Sequence, residues 1–375
     1  MKSQKTPIYQ QIKQDLKDKI ERGELREGER IPSEVELAKQ LEVNRSQTRQ
    51  ALRELQLEGY LLRRQGSGTF VAPCPNGVSA VKVDGVRSIA IVIPKNIAGH
   101  SRHIVEGFMH RSSQDEDCQV ITYNLNLSEA DDPSEVRFLR SVIESGVSGV
   151  VAWVTNDSGA TSDLIRELVE RRFPLVLVDR YLPDLDIDFV VSDNEALCYE
   201  LTTALIQRGH KRIAFAGIEH PNPSSVNDRL KGYRKALEEK SLAFDEKLVM
   251  DIGHLKEAPE QAVGKMMAPY ERPTAFVCIH LEPFQMMDDP LRKLGYRIAE
   301  NIDIAAVDDD FPDRAPDVPL IRIPQQGFEM GLQSAELLLK RIAEPQRAVE
   351  QRFVKPGALI DTDAHESTQS HLVNA

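Results

Sequence analysis

The chain has 375 residues, a formal net charge of −12 and 41% hydrophobic residues. A chain of this length is too long to fold around one small hydrophobic core, so we expect a globular protein of two or three domains. No apolar run approaches the ~20 residues of a membrane span, and MKSQKTPIYQQIKQ lacks the apolar segment of a signal peptide, so we expect a cytoplasmic protein. The four cysteines form no C-x-x-C pair, so we expect free thiols and no metal site.

The charge is distributed unevenly along the chain. Residues 1–72 carry a net charge of +3, whereas the remaining residues carry −15. A basic N-terminal segment on an otherwise acidic chain suggests that residues 1–72 form a module, here called the front module, that binds an anion.

The front module reads as three helices and a β-hairpin. Apolar residues recur at helical spacing from Pro7 to Ile20, and PSEVELAKQL begins a second helix in which Ser33 and Glu36 fit a capping box. Asn44 can cap a third helix that ends near Glu58. YLLRRQGSGTFVA then reads as two short strands around a glycine-rich turn. This order predicts a winged helix-turn-helix.

The third helix carries arginines at four-residue spacing, Arg45, Arg49 and Arg53, on one face. In a helix-turn-helix, this helix enters the major groove, where arginine can bind guanine and glutamine can bind adenine. The alternative is a solvated basic face balanced by Glu54 and Glu58. The cations of RRQGSG, next to a turn flexible enough to follow a phosphate backbone, favour DNA binding.

Past the front module, residues 72–87 hold two prolines and two glycines without an apolar run, which predicts a linker. Short β-rich runs then alternate with amphipathic helical segments, which predicts parallel sheets covered on both faces. The runs are SIAIVIP, CQVITYN, SGVVAWV, PLVLVDR, KRIAFAG, LVMDIG, TAFVCIH and IDIAAVDD, between residues 88 and 309.

Residues 7–72 resemble the GntR family of bacterial regulators. The segment that follows the pattern of this family nearly throughout is RIPSEVELAKQLEVNRSQTRQALRELQLEGYLLRRQGSGTFV. Many family members have a DNA-contacting arginine directly after PSE, where this chain has Val35. With the residues discussed above, the resemblance implies a set of DNA-binding residues: Glu34, Arg45, Ser46, Gln47, Thr48, Arg49, Arg64 and Gly66.

Residues 88–360 resemble the LacI/GalR effector domain, most strongly in FPLVLVDRYLPDLDIDFVVSDNEALCYELTTALIQRGHKRIAFAG. A GntR-type DNA-binding domain joined to an effector domain of this kind is similar to the arrangement in the arabinose-repressor group of Gram-positive bacteria. The resemblance implies two lobes that hold a small ligand at the carboxyl ends of parallel strands, the place that open α/β sheets favour. It implies that Asp179, Arg229 and an aspartate of the cluster 308–310, for which we take Asp309, bind the effector. Trp153, at a strand end that faces the cleft in this fold, and His280 and Glu282, which replace the residues usual in the family, complete the candidate effector set.

Several of these residues have a second interpretation. Trp153 either stacks on a sugar ring or belongs to the core, and Asp179 either binds hydroxyls or is a turn residue paired with Arg180. His100 and His103, which follow the first strand of this region, either reach the cleft or lie in a solvated loop, and we expect the loop.

The chain departs from the LacI/GalR pattern where the family usually has Asn-Asp, because His280-Leu281-Glu282 stands there. We expect Pro283 and Pro290 to disturb the helix that follows. One interpretation is a ligand unlike a simple hexose, and the other is a lost effector response.

Together these patterns predict an α/β protein with a winged helix-turn-helix at residues 1–72, a linker at 73–87, a two-lobed periplasmic-binding-protein-like domain at 88–362 and a flexible tail at 363–375. We expect a ligand-responsive transcription regulator, a repressor of carbohydrate-related genes that acts as a homodimer on double-stranded operator DNA with a sugar-like effector. The alternative is a solute-binding protein without a regulatory role. We expect no catalysis and no cofactor, because QGSGTF lacks the spacing and the lysine of a P-loop and no H-E-x-x-H occurs.

Overall fold

The computed structural model of the chain describes residues 7–21, 24–25, 28–41, 43–57, 60–64, 68–71, 86–94, 99–125, 134–155, 159–219, 222–268, 270, 272–308 and 320–361. Gly66, Cys74, Asp309, most of the predicted linker and the predicted tail lie outside these residues. The chain divides into two compact units, one made of Met1–Val92 and Asp117–Ser148, the other of Ile93–Glu116 and Gly149–Ala375.

The first elements along the chain form the predicted three helices and hairpin, with one further short strand. They are α1 (Ile8–Glu21), β1 (Arg30–Ile31), α2 (Glu34–Gln40), α3 (Arg45–Leu57), β2 (Leu61–Arg64) and β3 (Gly68–Val71). The three strands form an antiparallel sheet in the order β1-β3-β2. The strand β1 was not predicted, because two residues carry too little periodicity to be recognised as a strand in the sequence.

Local signals place these helices as predicted. Ser33 caps α2 in a full capping box with Glu36, and the Asn44 side chain accepts a hydrogen bond from Ser46 N at 3.1 Å at the start of α3. The inward face of α3, which is Ala51, Leu52 and Leu55, is buried with residues of α1, α2 and the sheet. The winged helix-turn-helix therefore has a core of its own.

The larger part of the chain alternates strands and helices. Its elements are β4 (Arg87–Pro94), α4 (His100–Ser112), β5 (Cys118–Leu125), α5 (Ser134–Glu144), β6 (Gly149–Ala152), α6 (Gly159–Glu170), β7 (Leu175–Val178), β8 (Asp188–Ser192), α7 (Asn194–Gln207), β9 (Ile213–Ile218), α8 (Ser224–Glu239), a 3₁₀ turn (Glu246–Leu248), β10 (Val249–Asp251), α9 (Ile252–Glu257), α10 (Pro259–Met267), β11 (Ala275–Cys278), α11 (Leu281–Lys293), β12 (Asp303–Asp308), β13 (Ile321–Pro324), α12 (Gly327–Ala343), β14 (Gln351–Val354) and β15 (Ile360–Asp361). Each β-rich run of the sequence contains a strand.

In the second unit, one sheet has the strand order β10-β9-β11-β12-β13-β15. Its neighbouring strands are parallel except for β15, which runs antiparallel to β13. The strands β14, β8, β7 and β6 are joined in this order by parallel pairing. The expected α/β class with parallel sheets is confirmed.

The first of these sheets is covered on both faces, which explains why its strands are apolar throughout. In β9, Ala214 and Ala216 belong to one buried cluster, whereas Ile213 and Phe215 belong to another. Successive side chains of a strand point to opposite faces, so a strand buried on both sides cannot alternate with polar residues.

Two helix pairs pack closely because glycines lie at their crossings. A Cβ at Gly107 of α4 would lie 1.9 Å from Phe328 O of α12, and a Cβ at Gly331 of α12 would lie 1.9 Å from Ile104 O. In the same way, a Cβ at Gly232 of α8 would lie 2.0 Å from Glu195 O of α7. Helix backbones can approach this closely only where no side chain separates them.

The expectation that two prolines would disturb the helix after β11 is wrong. The helix α11 runs without a break from Leu281 to Lys293, with Pro290 inside it. Pro283 lies in the first turn, where a backbone N–H would have no partner within the helix, so proline is tolerated there.

The helix α12 contains the apolar segment GLQSAELLLKRI, which by its sequence alone could form part of a dimer interface. The structure gives its apolar residues another role, because Leu337, Leu338 and Leu339 are buried within the same chain and α12 packs against α4, β6, β7 and β8. The apolar character of α12 therefore does not indicate a partner chain.

Among the described residues, no helix combines the length and the apolar character that crossing a bilayer would require.

Candidate functional site

The N-terminal turn of α3 presents polar side chains to solvent. Arg45, Ser46 and Arg49 are exposed, and Gln47 is half-buried. Asn44 accepts from Ser46 N through its side chain and from Gln47 N through its backbone carbonyl, and the positive end of the helix dipole at this start of α3 favours an anion. This end of α3 can therefore meet DNA.

A carboxylate contacts both exposed arginines. Glu34 Oε2 accepts a hydrogen bond from Arg49 Nε at 3.1 Å and lies 3.6 Å from Arg45 Nη2. Glu34 is half-buried, whereas the arginine side chains are about 60% exposed. Glu34 therefore limits the directions the guanidinium groups adopt and partly neutralises their charge.

These residues line an open groove of 640 Å³ on the winged helix-turn-helix. Arg53 of α3 lines it as well, as do Arg30 of β1 and Thr69 of β3. Val35, at the position where many family members have arginine, is 55% exposed at the same groove.

Thr48 differs from its prediction as a DNA-contacting residue. Its side chain is fully buried, and Oγ1 lies 2.9 Å from Glu34 O and 3.0 Å from Arg45 O. Since the hydroxyl bonds within the domain, Thr48 fixes the angle between α2 and α3 and is not available to a partner. In the wing, Arg64 pairs through its backbone with Gly68 of β3, and Gly66 lies outside the described residues.

A second cluster lies at the carboxyl ends of β6 and β7, which are neighbours in their sheet. Trp153 follows β6 and is 4% exposed, and Asp179 follows β7 and is 7% exposed. The backbone of Asp179 has a φ of 69°, a left-handed conformation that is uncommon for residues other than glycine and often marks functional positions.

His100 joins this cluster, contrary to the expectation of a solvated loop. It is the first residue of α4 and is 2% exposed, its Nε2 lies 3.1 Å from Asp179 Oδ1, and its ring meets Trp153 edge-on at 5.8 Å between centroids. In the sequence, only the position of GHSRH after a predicted strand could have indicated that His100 contacts Asp179 and Trp153. Arg180 Nε lies 3.9 Å from Asp179 Oδ2, and Arg180 Nη1 donates to Thr155 O at 2.9 Å, so the predicted Asp179–Arg180 pair is long and secondary to the His100 contact.

Tyr181 connects the end of β7 with helix α8. Its backbone N–H donates to Ser224 Oγ at 2.9 Å, and its hydroxyl donates to Asp228 Oδ2 at 2.8 Å. Burial, together with the bond to the Asp228 carboxylate, raises the pKa of Tyr181, so the phenol keeps its proton. Two polar bonds thus bring the β7 end to the residue that precedes Arg229.

Arg229 lies on α8, is 5% exposed and is held by three acceptors from separate elements. Its Nε donates to Asn194 Oδ1 at 2.8 Å, Nη1 to Ile279 O at 2.6 Å and Nη2 to Gln325 Oε1 at 3.1 Å. Arg229 was predicted from the sequence, whereas its partners Asn194 and Gln325, which are 35 and 96 residues away in the chain, were not.

His280 follows β11 directly after Ile279 and caps α11, where its Nδ1 accepts from Glu282 N at 3.2 Å. Burial, with a smaller effect from the nearby charges of Arg229, Lys256 and Arg180, lowers the pKa of His280 to about 3, so the ring is neutral at pH 7. A neutral ring that accepts at Nδ1 carries its proton on Nε2 and can donate from there.

Glu282 is the least enclosed of the predicted effector residues that the structure describes. Its side chain is 45% exposed, and Oε1 pairs with Lys256 Nζ at 3.3 Å. Asp309 lies outside the described residues. His100 contacts both Trp153 and Asp179. Tyr181, two residues after Asp179, binds Asp228, the neighbour of Arg229 in the chain, and Arg229 binds the carbonyl of Ile279, the neighbour of His280.

Comparison with known proteins identifies both parts of the chain. Residues 8–71 match the model of the gntR family of bacterial regulatory proteins, and residues 202–362 match a periplasmic binding protein-like domain. The arabinose metabolism transcriptional repressor of Geobacillus stearothermophilus is 30% identical over 368 residues, which cover 93% of this chain and 94% of that protein. The repressor of the same name from Halalkalibacterium halodurans is 27% identical over 344 residues, 90% of each chain.

Solved structures show the same fold for the larger part. The transcription regulator CcpA of Lactococcus lactis superposes with a TM-score of 0.64 at 20% identity, covering 74% of this chain and 98% of that one. A complex of the transcriptional regulator CelR with cellobiose gives a TM-score of 0.62 at 20% identity, over 88% and 98% of the two chains. With a winged helix-turn-helix that matches along its length and a relative that spans nearly the whole chain, this protein belongs to the GntR family of bacterial transcription regulators, with a periplasmic-binding-protein-like domain as its larger part.

Proposed function

We propose that this chain is a ligand-responsive transcription repressor of carbohydrate-related genes, which works in the cytoplasm and is released from its operator by a small sugar or sugar derivative. The observation that carries the proposal is the presence, in one chain, of a GntR-type DNA reader and a strand-end cluster of Trp153, Asp179, Arg229 and His280. Two relatives that span the chain carry the name of arabinose metabolism repressors, which supports the carbohydrate assignment.

The chemistry of the cluster suits a hydroxylated ligand. Asp179 accepts hydrogen bonds, whereas Arg229 and His280 donate them, and hydrogen bonds with a charged partner are the stronger kind. Trp153 and His100 supply ring faces and edges next to Asp179. A small polyol bound here would exchange its water contacts for several charge-assisted bonds at once.

The regulatory step in this proposal is a linkage between two binding equilibria. A ligand that binds the DNA-free form more tightly weakens operator binding by the same factor. The DNA contacts are assigned to Arg45, Ser46, Gln47, Arg49 and the wing, and Glu34 positions the two arginines.

Asp179→Asn is expected to weaken binding of the sugar effector at least tenfold while leaving operator binding without ligand unchanged. The substitution removes the charge from a buried acceptor, and an unsatisfied or weakened buried hydrogen bond costs about 1–3 kcal/mol. A thermal-shift screen over carbohydrates identifies the effector, and calorimetry measures its affinity for both proteins. Since a ligand at 100 times its Kd stabilises by about 2.7 kcal/mol, the screen has ample signal.

Asp184→Asn is the matched control, because Asp184 is exposed in the same loop and loses the same charge. Equal effector affinity of Asp179→Asn and the wild type would refute the placement of the site. If no carbohydrate shifts the protein, the lost-response alternative is the better one.

We also propose that the regulator is a homodimer, because symmetric dimers match the near-palindromic half-sites that helix-turn-helix proteins read. Light scattering at micromolar protein is expected to give twice the 42.2 kDa of one chain. A single-chain mass, both with and without operator DNA, would contradict this assembly.

A further inference from the structure

Val35 is an exposed apolar side chain in the open groove of the winged helix-turn-helix. Two other apolar residues that line this groove, Ile31 and Leu52, belong to the core of the domain and are 2% and 4% exposed. Val35, in contrast, is 55% exposed, and the same groove is lined by the arginines of α3. An isopropyl group therefore faces solvent within a surface whose positive charges attract the backbone of DNA.

The first turn of α2 fixes the place of Val35 relative to two of these arginines. The buried Thr48 of α3 has its hydroxyl oxygen 2.9 Å from Glu34 O, which ties α3 to the residue before Val35. The Glu34 carboxylate contacts Arg49 at 3.1 Å and Arg45 at 3.6 Å. Because valine is branched at Cβ, its side chain has few rotamers to lose when a partner covers it. Val35 is thus held ready for contact on the same surface as the two arginines.

The chemistry of an exposed valine distinguishes between the base edges of a major groove. Guanine, adenine and cytosine present hydrogen-bonding groups there, whereas thymine also presents a C5-methyl group. Valine has neither a donor nor an acceptor in its side chain, so a polar base edge covered by it would lose its contacts with water and gain none. Packing of the isopropyl group on a thymine methyl group removes apolar surface from water on both sides, which is favourable.

We infer that Val35 reads the C5-methyl group of a thymine in each half-site of the operator. The arginines of α3 bind hydrogen-bonding edges and phosphates, and Val35 adds a contact that depends on apolar character. This inference rests on the proposed DNA-binding role of α3 and extends it, because it assigns a base to the first turn of α2. The thymine is expected in the same half-site as the bases that Arg45 and Arg49 read.

Replacement of thymine by uracil tests the inference, because uracil keeps the hydrogen-bonding groups of thymine and lacks only the methyl group. The operator is the sequence that the full-length protein selects from a randomised duplex pool, and each thymine of one half-site is replaced separately. Fluorescence anisotropy is expected to show a loss of about fourfold in affinity at one of these positions, the effect of one methyl-sized group removed from water. At this position, 5-methylcytosine is expected to bind more tightly than cytosine by a similar factor.

Val35→Ala is expected to reduce the effect of uracil at that position to less than twofold, because the shorter side chain no longer reaches the methyl group. The substitution lies at an exposed helix position and favours the helix, so the fold is expected to be retained. Leu41→Ala is the matched control, since Leu41 lies at the end of the same helix and is 40% exposed. It is expected to leave the effect of uracil at about fourfold.

A selected operator without thymine in its half-sites would overturn the inference while operator binding stands, and so would a scan in which no uracil changes the affinity by as much as twofold. An equal effect of uracil in Val35→Ala and the wild type would also overturn it, because the methyl group would then meet another side chain. The proposed function fails on a different observation, a selection that yields no preferred sequence, and the inference fails with it.

Discussion

Alanine at both Arg45 and Arg49 is expected to eliminate specific operator binding at protein concentrations that saturate the wild type. Each arginine that reads a base contributes roughly 1–3 kcal/mol, so the pair is worth about 2–6 kcal/mol, or at least about thirtyfold in Kd. Both guanidinium groups are exposed at the start of α3 and are oriented by the same Glu34 carboxylate, so they present a preformed pair of donors. Anisotropy titration on an operator selected from a randomised duplex pool measures the effect.

Lys19→Ala is the matched control for charge, because Lys19 is a cation of α1 in the same domain, with a side chain that is 43% exposed and pairs with Asp15. It is expected to leave operator affinity within a factor of two or three. An equal loss on random DNA would assign the arginines to phosphate contacts, since those weaken all sequences alike. Unchanged operator binding by the double variant would refute the placement of the reading surface on α3.

Arg341→Ala is expected to lower the free energy of unfolding of the second unit by about 3–5 kcal/mol. Arg341 on α12 binds Asp188 at the start of β8 through two bonds, Nε to Oδ2 at 2.7 Å and Nη2 to Oδ1 at 2.9 Å. The same guanidinium donates to Arg347 O at 2.6 Å and Ala348 O at 3.1 Å, and Glu350 N donates to Asp188 at 2.8 Å. Removing the cation leaves a carboxylate with 1% exposure unpaired.

The Arg341–Asp188 pair also explains the position of β14 beside β8. The residues between α12 and β14 are held by Arg341 and Asp188, so β14 is placed beside β8 by bonds to groups far apart in sequence. The measurement is urea and thermal unfolding of the wild type and the variant. Lys340→Ala is the neighbouring control, whose exposed pair with Glu336 is worth about 0.3–0.5 kcal/mol.

Replacing both partners, as in Asp188→Asn with Arg341→Met, separates the loss of a pair from the burial of an orphaned charge. The double variant is expected to be more stable than Arg341→Ala, because no unpaired carboxylate remains. If Arg341→Ala unfolds at the same urea concentration as Lys340→Ala, the pair does not stabilise the unit as argued.

Much of the winged helix-turn-helix was predictable because its elements are set by nearby residues. The Ser33–Glu36 capping box spans four residues, and the buried face of α3 follows from helical periodicity. Thr48 shows the limit of this reasoning. Its position in the first turn suggested a DNA contact, but its hydroxyl bonds to Glu34 O of α2, and only the angle between two helices decides that.

By itself, the sequence determined the alternation of strands and helices, the division into a basic reader and an acidic body, and the positions of Asp179 and Arg229 at strand ends and on a helix. These are properties of local periodicity, composition and short patterns. Only the tertiary structure decided that His100 is buried against Asp179, 79 residues away, that Arg229 is held by Asn194 and Gln325, and that the apolar side of α12 is covered by its own chain. Such contacts depend on where the chain returns in space after many residues, and a buried polar group is stabilised by whichever partner arrives there, which local sequence does not encode.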